Sequence, residues 1–223
     1  VILSVFIYLV CTKFPPKSIH GQNESLLLLN KITNKRVLLY GAALGIYVSS
    51  EIGLSNWFVN YLTAVYHMNA LRSSNYLSAF FILFTIGRLV GGFIAEKMGY
   101  FNSILAFMTS ALLLFSGGVL LGENYVIFIS ICGLSYSIVY PTIVSALIKE
   151  FKQSTGSVLG VVITVSSAIS MTLNWFIGQL NDMFDVKSGF MVIMLYIFID
   201  IVLIILLKAG FGKNKALDEE TAV

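Results

Sequence analysis

The sequence predicts an all-α polytopic membrane protein, and three observations carry that prediction. Of 223 residues, 57% are hydrophobic and 11% charged, with a mean hydropathy of +0.88, whereas about a quarter of an ordinary soluble chain is charged. Six apolar runs are long enough to cross about 30 Å of hydrocarbon as helix: roughly Val37 to Tyr66, Asn75 to Ala95, Phe101 to Leu121, Tyr125 to Ile148, Ser157 to Leu180 and Gly189 to Leu207. The basic residues are sorted between the two sides. If the segment after Cys11 is cytoplasmic, alternation places Lys13, Lys17, Lys31, Lys35, Arg36, Arg88, Lys97, Lys149, Lys152, Lys208, Lys213 and Lys215 inside and only Arg72 and Lys187 outside, a strong positive-inside bias.

The net charge of +3 is therefore an imprint of topology, and it excludes a nucleic-acid partner. Cys11 and Cys132 both fall in apolar helix, where free cysteine behaves as a small hydrophobe. No disulfide, metal or cofactor spacing occurs.

Residues 1–11 form an apolar run without Met or a basic flank. They lack the charged leader and small-residue cleavage site of a signal peptide, so they read as the end of a truncated helix. Residues 12–36 are polar, contain Pro15 and Pro16, and carry one short apolar patch, Leu26 to Leu29. This is a cytoplasmic linker, as expected between two six-helix halves of a transporter. Residues 37–208 then form a six-helix bundle, and 209–223 a cytoplasmic tail ending in Asp218, Glu219 and Glu220.

The first span contains YGAALGIYVSSEIGLSNWFVNY, with one carboxylate, Glu51, amid uncharged residues. An ionisable group at bilayer depth is costly and marks a pathway, a relay or a buried pair. At about 100° per residue, Ser49, Gly53, Asn56 and Asn60 share one face, while Glu51 points about 160° away. Either the helix unwinds near Gly53, or Glu51 meets a neighbouring helix and the asparagine face, with Trp57 beside it, meets substrate. Glu51 is then a candidate for cation coupling or helix pairing.

The second span presents Gly87, Gly91 and Ala95, small residues four apart that let another backbone approach. The third, with hydroxyls only at Ser103, Thr109, Ser110 and Ser116, is expected to be a lipid-facing strut. The fourth carries Pro141, the one proline in the six spans, which predicts a kink. Ser130, Gly133, Ser137 and Tyr140 share a face there, which suits either a cavity wall or hydroxyls bonded back to their own helix. In the fifth, Thr164, Ser167, Ser170, Asn174 and Gly178 form a similar stripe, with Asn174 the best contact candidate. Asp200, alone among Ile, Phe and Val in the sixth, reads as a buried structural pair or a protonated carboxyl rather than a transport group.

Catalytic chemistry is missing from the sequence. There is no HExxH, no phosphate-cradling glycine loop and no nucleophile with a plausible base. The chain is not expected to be an enzyme.

The run GRLVGGFIAEKMGYF places Gly92, Glu96, Lys97 and Gly99 in the pattern GxxxD[RK]xG, with Glu for Asp. Here the sequence resembles the major facilitator superfamily. The stretches YVSSEIGLSNWFVNYL, NYLSAFFILFTIGRLVGG and YSIVYPTIVSALIK make it most similar to the fucose permease and glucose–galactose transporter family. That resemblance implies the C-terminal half of a twelve-helix, two-bundle carrier, with substrate held between the halves and the first and fourth helices of each lining the cavity. It implies that Glu96 latches onto the opposite half, with Arg88 as the charge that orients it. It also implies proton or sodium coupling, through carboxylates best known in the missing N-terminal half.

The leading expectation is thus a fragment of a cation-coupled sugar transporter in the plasma membrane (the cell inner membrane of a bacterium). Its substrate would be a hexose or deoxyhexose, contacted by Asn56, Trp57, Asn60, Ser137, Tyr140 and Asn174, because amides bond hydroxyls and aromatic rings cover the apolar sugar face. An exporter of drugs or amphipathic metabolites is the alternative on the same fold, and a non-transporting scaffold or receptor is a third reading.

Overall fold

A computed structural model describes residues 34–220; the expected truncated helix, the Leu26–Leu29 patch and the expected linker up to residue 33 lie outside the described residues. Seven α-helices are present among them. These are α1 (Lys35–Tyr66), α2 (Ala70–Met98), α3 (Tyr100–Leu120), α4 (Ile127–Tyr136), α5 (Val139–Glu150), α6 (Thr155–Met183) and α7 (Val186–Glu220). With α4 and α5 forming one interrupted span, six are long and apolar enough to cross a membrane. The chain is a multi-pass, all-α membrane protein.

Local chemistry sets the ends. The Asn34 side chain accepts from the Arg36 N–H at 2.9 Å and the Asn69 side chain from the Arg72 N–H at 2.8 Å, each capping a helix whose first N–H groups have no partner within the helix. α1 stops at His67, which adopts left-handed φ (52°) and returns its N–H to the Leu62 carbonyl. Gly99 alone joins α2 to α3, at φ 80° and ψ 147°, a conformation open essentially only to glycine. This is a backbone reason for the last glycine of the loop motif.

α1 packs along α6 and α7, while α2 packs on α4, and α3 on α4, α5 and α7. Lipid gives helices no hydrophobic reason to associate, so close backbone approach at small residues carries the packing. Gly41, Gly45 and Gly53 of α1 sit against Val165, Ile169 and Ile177 of α6, where a Cβ would come within 3 Å of each. Toward the far end Phe190 of α7 stacks on Tyr61 at 4.4 Å and lies 5.2 Å from Phe115, tying α1, α3 and α7 together.

The fourth span breaks at Ser137–Ile138, four residues before the proline. Pro141 has no N–H for the Ser137 carbonyl, which is where an interrupted ladder should open. The break rests on α2: a Cβ on Gly87 would meet Ser137 Oγ at 2.1 Å, and one on Gly91 would meet Ile138 Cγ2 at 1.8 Å.

The third span differs from the strut expected. Ser103, Ile104, Met108, Ala111 and Phe115 are buried, and Ser110 shares a hydrogen bond of 2.8 Å with Ser135 of α4. Its even apolarity hid a packed face because hydroxyls were the only polar marks available. The helices with the most outward surface are α2 and α6, 22% of whose apolar windows is buried, against 61% for α1 and 67% for the α4–α5 span.

Candidate functional site

Helix α1 is unbroken through Gly53, which removes the unwound alternative. Its two faces are separated by packing: Gly53 is pressed on Ile177, while Glu51 opens into a cavity of about 460 Å³ lined by Val48, Glu51, Ile52, Arg88, Tyr140 and Pro141. Three elements meet here. Pro141 lies on the α5 side of the break, and Arg88 comes from the α2 turn that begins at Gly87.

Both charges are deep. Arg88 lies ten residues, about 15 Å of helix, before the end of α2, which is mid-bilayer depth. A guanidinium at that depth needs a counter-charge or water. Arg88 lines the same cavity as Glu51, and its guanidinium lies 4.4 Å from the centre of the Phe84 ring. Behind the carboxyl, the Tyr47 hydroxyl donates to the Tyr136 carbonyl at 2.8 Å, and Ser50 donates to the Tyr47 carbonyl at 2.7 Å. The arrangement is a charged concavity on the wall of the bundle, with hydrogen-bond donors and acceptors on Glu51, Arg88 and Tyr140.

Among the described residues, ion pairs form at Arg36–Glu150 and Arg72–Glu123. Arg88 therefore does not pair with Glu96, contrary to the orientation role expected for it. The two residues only share a crevice of about 190 Å³, and the turns of α2 between them direct Arg88 toward Glu51. Glu96, Lys97, Gly92 and Gly99 are all exposed, with open space around both glycines.

The expected substrate contacts do not form one group. Tyr140 lines the cavity. Ser137 is fully buried, donates to the Leu134 carbonyl at 2.7 Å and faces Gly87, so its stripe is a seam with α2 and no cavity wall. Ser130 likewise donates to the Tyr76 carbonyl at 2.8 Å. Trp57 lies beside Gly178 in the α1–α6 seam. Asn174 donates to the Ser170 carbonyl at 3.0 Å, and its oxygen is buried in the same seam beside Gly53. Asn56 and Asn60 are exposed and line none of the cavities described here. Asp200 is fully buried, and neither oxygen has a partner, so the structural pair expected for it does not form among the described residues.

A second polar cluster was not foreseen. Glu150, ending α5, accepts from the Tyr40 hydroxyl at 2.9 Å and from Arg36 at 3.0 Å, and Arg36 passes over the bare backbone of Gly210. It ties the start of α1 to the end of α5 and to α7 at Gly210, at the bundle's basic end. No local pattern links residues 110 or more apart in sequence, and Arg36 looked like one more loop charge.

A profile described as Major Facilitator Superfamily matches residues 1–174. The chain belongs to the Major Facilitator Superfamily. No curated protein sequence matches it. Among solved structures it is similar to FucP, a Major Facilitator Superfamily transporter in the outward conformation, at 22% identity and TM-score 0.75, over 92% of this chain and 52% of that one. It is similar also to a variant of the E. coli fucose:proton symporter FucP, at 20% identity and TM-score 0.73, with the same coverage. The chain thus spans about half the length of these structures, and its six spans match one six-helix half of the superfamily fold.

Proposed function

We propose that this chain forms the C-terminal half of a cation-coupled sugar permease working by alternating access, with substrate held between this bundle and a second one. The observation that carries the reading is the cavity where Glu51, Arg88 and Tyr140 converge at mid-depth beside the break in the fourth span. Its volume falls within the range of about 300–1,000 Å³ usual for small-molecule sites, before the second bundle adds its own wall.

Sugar hydroxyls both donate and accept, so the Arg88 guanidinium and the Glu51 carboxyl complement them, and the Tyr140 ring can cover the apolar sugar face. A proton or sodium ion taken by Glu51 would change the field on Arg88 and so the preferred conformation. Asn56 and Asn60, on the same helix outside the cavity, are further candidates for contact from the opposite half. The broad apolar surfaces of α2 and α6 suit a boundary with that half and with lipid. By the sidedness of the lysines, the basic end faces the cytoplasm of the plasma membrane. The fucose:proton symporter similarity supports a neutral hexose or deoxyhexose with a proton, and the superfamily fold supports transport rather than enzymatic turnover.

The test is uptake of labelled hexoses by the full-length protein under an imposed proton or sodium gradient. With Glu51→Gln, downhill exchange should survive while gradient-driven accumulation falls. Absence of uptake for every hexose and deoxyhexose under either gradient, with outward movement of an amphipathic compound instead, would refute the proposal.

A further inference from the structure

The largest cavity described lies away from Glu51, at the basic end. It measures about 800 Å³ and is lined by Glu96 of α2, Tyr100 and Asn102 of α3, Lys149 of α5 and Lys208 of α7, among others. Four helices thus contribute to one concavity, which none of the transport chemistry above uses.

Its charge is unbalanced. Among the described residues the ion pairs involve Arg36 and Arg72, and neither lysine is paired with a carboxylate there. Glu150, next in sequence to Lys149, is taken by Arg36 and Tyr40. Lys149 is nevertheless held in place, its Nζ 4.6 Å from the centre of the Tyr100 ring. Two lysines face the single carboxylate of Glu96.

Its depth is that of a lipid headgroup. Lys149 is the penultimate residue of α5, and Lys208 directly follows the apolar run of α7 that ends at Leu207. Ile205 of α7, nearly one turn further into the membrane, and Val202, nearly one turn beyond it, are exposed, an apolar path that starts beside Lys208.

We propose that this cavity binds the phosphate of an anionic membrane phospholipid, with Lys149 and Lys208 contacting the phosphate oxygens and an acyl chain lying along Ile205 and Val202. The shared chemistry is a phosphate bearing net negative charge, and a soluble phosphate is the other source that could supply it. The inference stands whether or not the carrier transports sugar.

Native mass spectrometry of the full-length protein, incubated with equal amounts of phosphatidylglycerol and phosphatidylcholine, tests it. Wild type should retain phosphatidylglycerol preferentially. The double variant Lys149→Gln with Lys208→Gln should retain roughly thirtyfold less, as expected when two cationic contacts near the membrane surface are lost. The double substitution to Arg should retain wild-type levels, and Lys187→Gln, at the opposite end of α7, should change nothing. Equal retention of both lipids, or undiminished phosphatidylglycerol in the glutamine variant, would overturn the site. Inorganic phosphate forms the last arm: if it displaces the lipid and is itself retained through the same two lysines, the lipid assignment is overturned in favour of a soluble phosphate.

Discussion

Two adjacent glycines of α2 offer a test of how the broken fourth span is seated. A Cβ on Gly91 would lie 1.8 Å from Ile138 Cγ2 and 2.9 Å from Ile138 Cβ, whereas one on Gly92 would meet nothing within 4 Å. Replacing glycine by alanine within a helix gains about 1 kcal/mol of propensity. At Gly92 that gain is unopposed, so Gly92→Ala should stabilise by about 0.5–1 kcal/mol. At Gly91 the new methyl is roughly 1.5 Å short of ordinary contact. Ile138 is branched at Cβ, so rotating χ1 swings its other arm toward the same place. Overpacking of this kind costs about 1–3 kcal/mol, and the tight backbone seat argues for the upper part of that range. Gly91→Ala should therefore destabilise by about 1–2 kcal/mol net, leaving neighbouring alanines about 1.5–3 kcal/mol apart. Thermal unfolding of the full-length protein in detergent reads the difference. Adding Ile138→Ala to Gly91→Ala should recover part of the loss, with a coupling of about 1–3 kcal/mol. Equal stability of the two alanine variants, or no recovery in the double variant, would refute the seating of the break on α2.

Three further outcomes follow from side-chain placement. Glu150→Gln removes the counter-charge of Arg36 and weakens the acceptor of Tyr40, on side chains only 9% and 21% exposed, so it should cost about 2 kcal/mol, less than for a fully buried pair. Tyr40→Phe should cost about 1 kcal/mol, and indistinguishable melting of all three proteins would show that the cluster holds nothing. Asp200→Leu should leave the melting temperature unchanged or higher, since an unpartnered buried carboxyl is replaced by an apolar group of similar size; loss of folded protein would reveal a polar partner. Asp185 accepts the Ser188 N–H at 2.6 Å at the start of α7, and this holds its carboxyl below the usual value near 3.8. A lowered folded-state value stabilises above the ordinary carboxylate range and is lost as pH falls through it. The stability gap between wild type and Asp185→Ala should therefore be present at about pH 6 and shrink toward about pH 3, and a gap independent of pH would refute the cap.

The membrane fold was legible because bilayer length and charge sorting act on whole segments. Five of the six apolar runs lie within one span and the third overruns its helix by one residue, Leu121, while Gly87 and Gly91 met another helix as their spacing suggested. The proline also announced its break, one turn before itself, because a missing N–H has a definite partner four residues back. The third span was not legible in the same way. Apolar residues facing lipid and apolar residues facing protein look alike in sequence, since lipid is as apolar as a protein interior, and nothing in Ile104, Met108 or Phe115 says which they meet.

The site was legible only as far as rotation about each helix. Periodicity placed Ser137 with Tyr140, and Ser49 with Asn56, but a face is a direction and its meaning depends on which helix arrives there. For α1, Gly41, Gly45 and Gly53 were the deciding residues: they admit α6 along the serine and glycine face, so that face becomes a seam up to Gly53 and Glu51 is left to meet Arg88 and Tyr140. For the fourth span, Gly87 and Gly91 admit Ser137 and Ile138, closing the stripe that polarity alone suggested was open. In both cases the glycines of one helix determine which polar residues of another remain available to a ligand. In a bundle without a hydrophobic driving force, polar residues are therefore better assigned to cavities after the small residues have been assigned to seams.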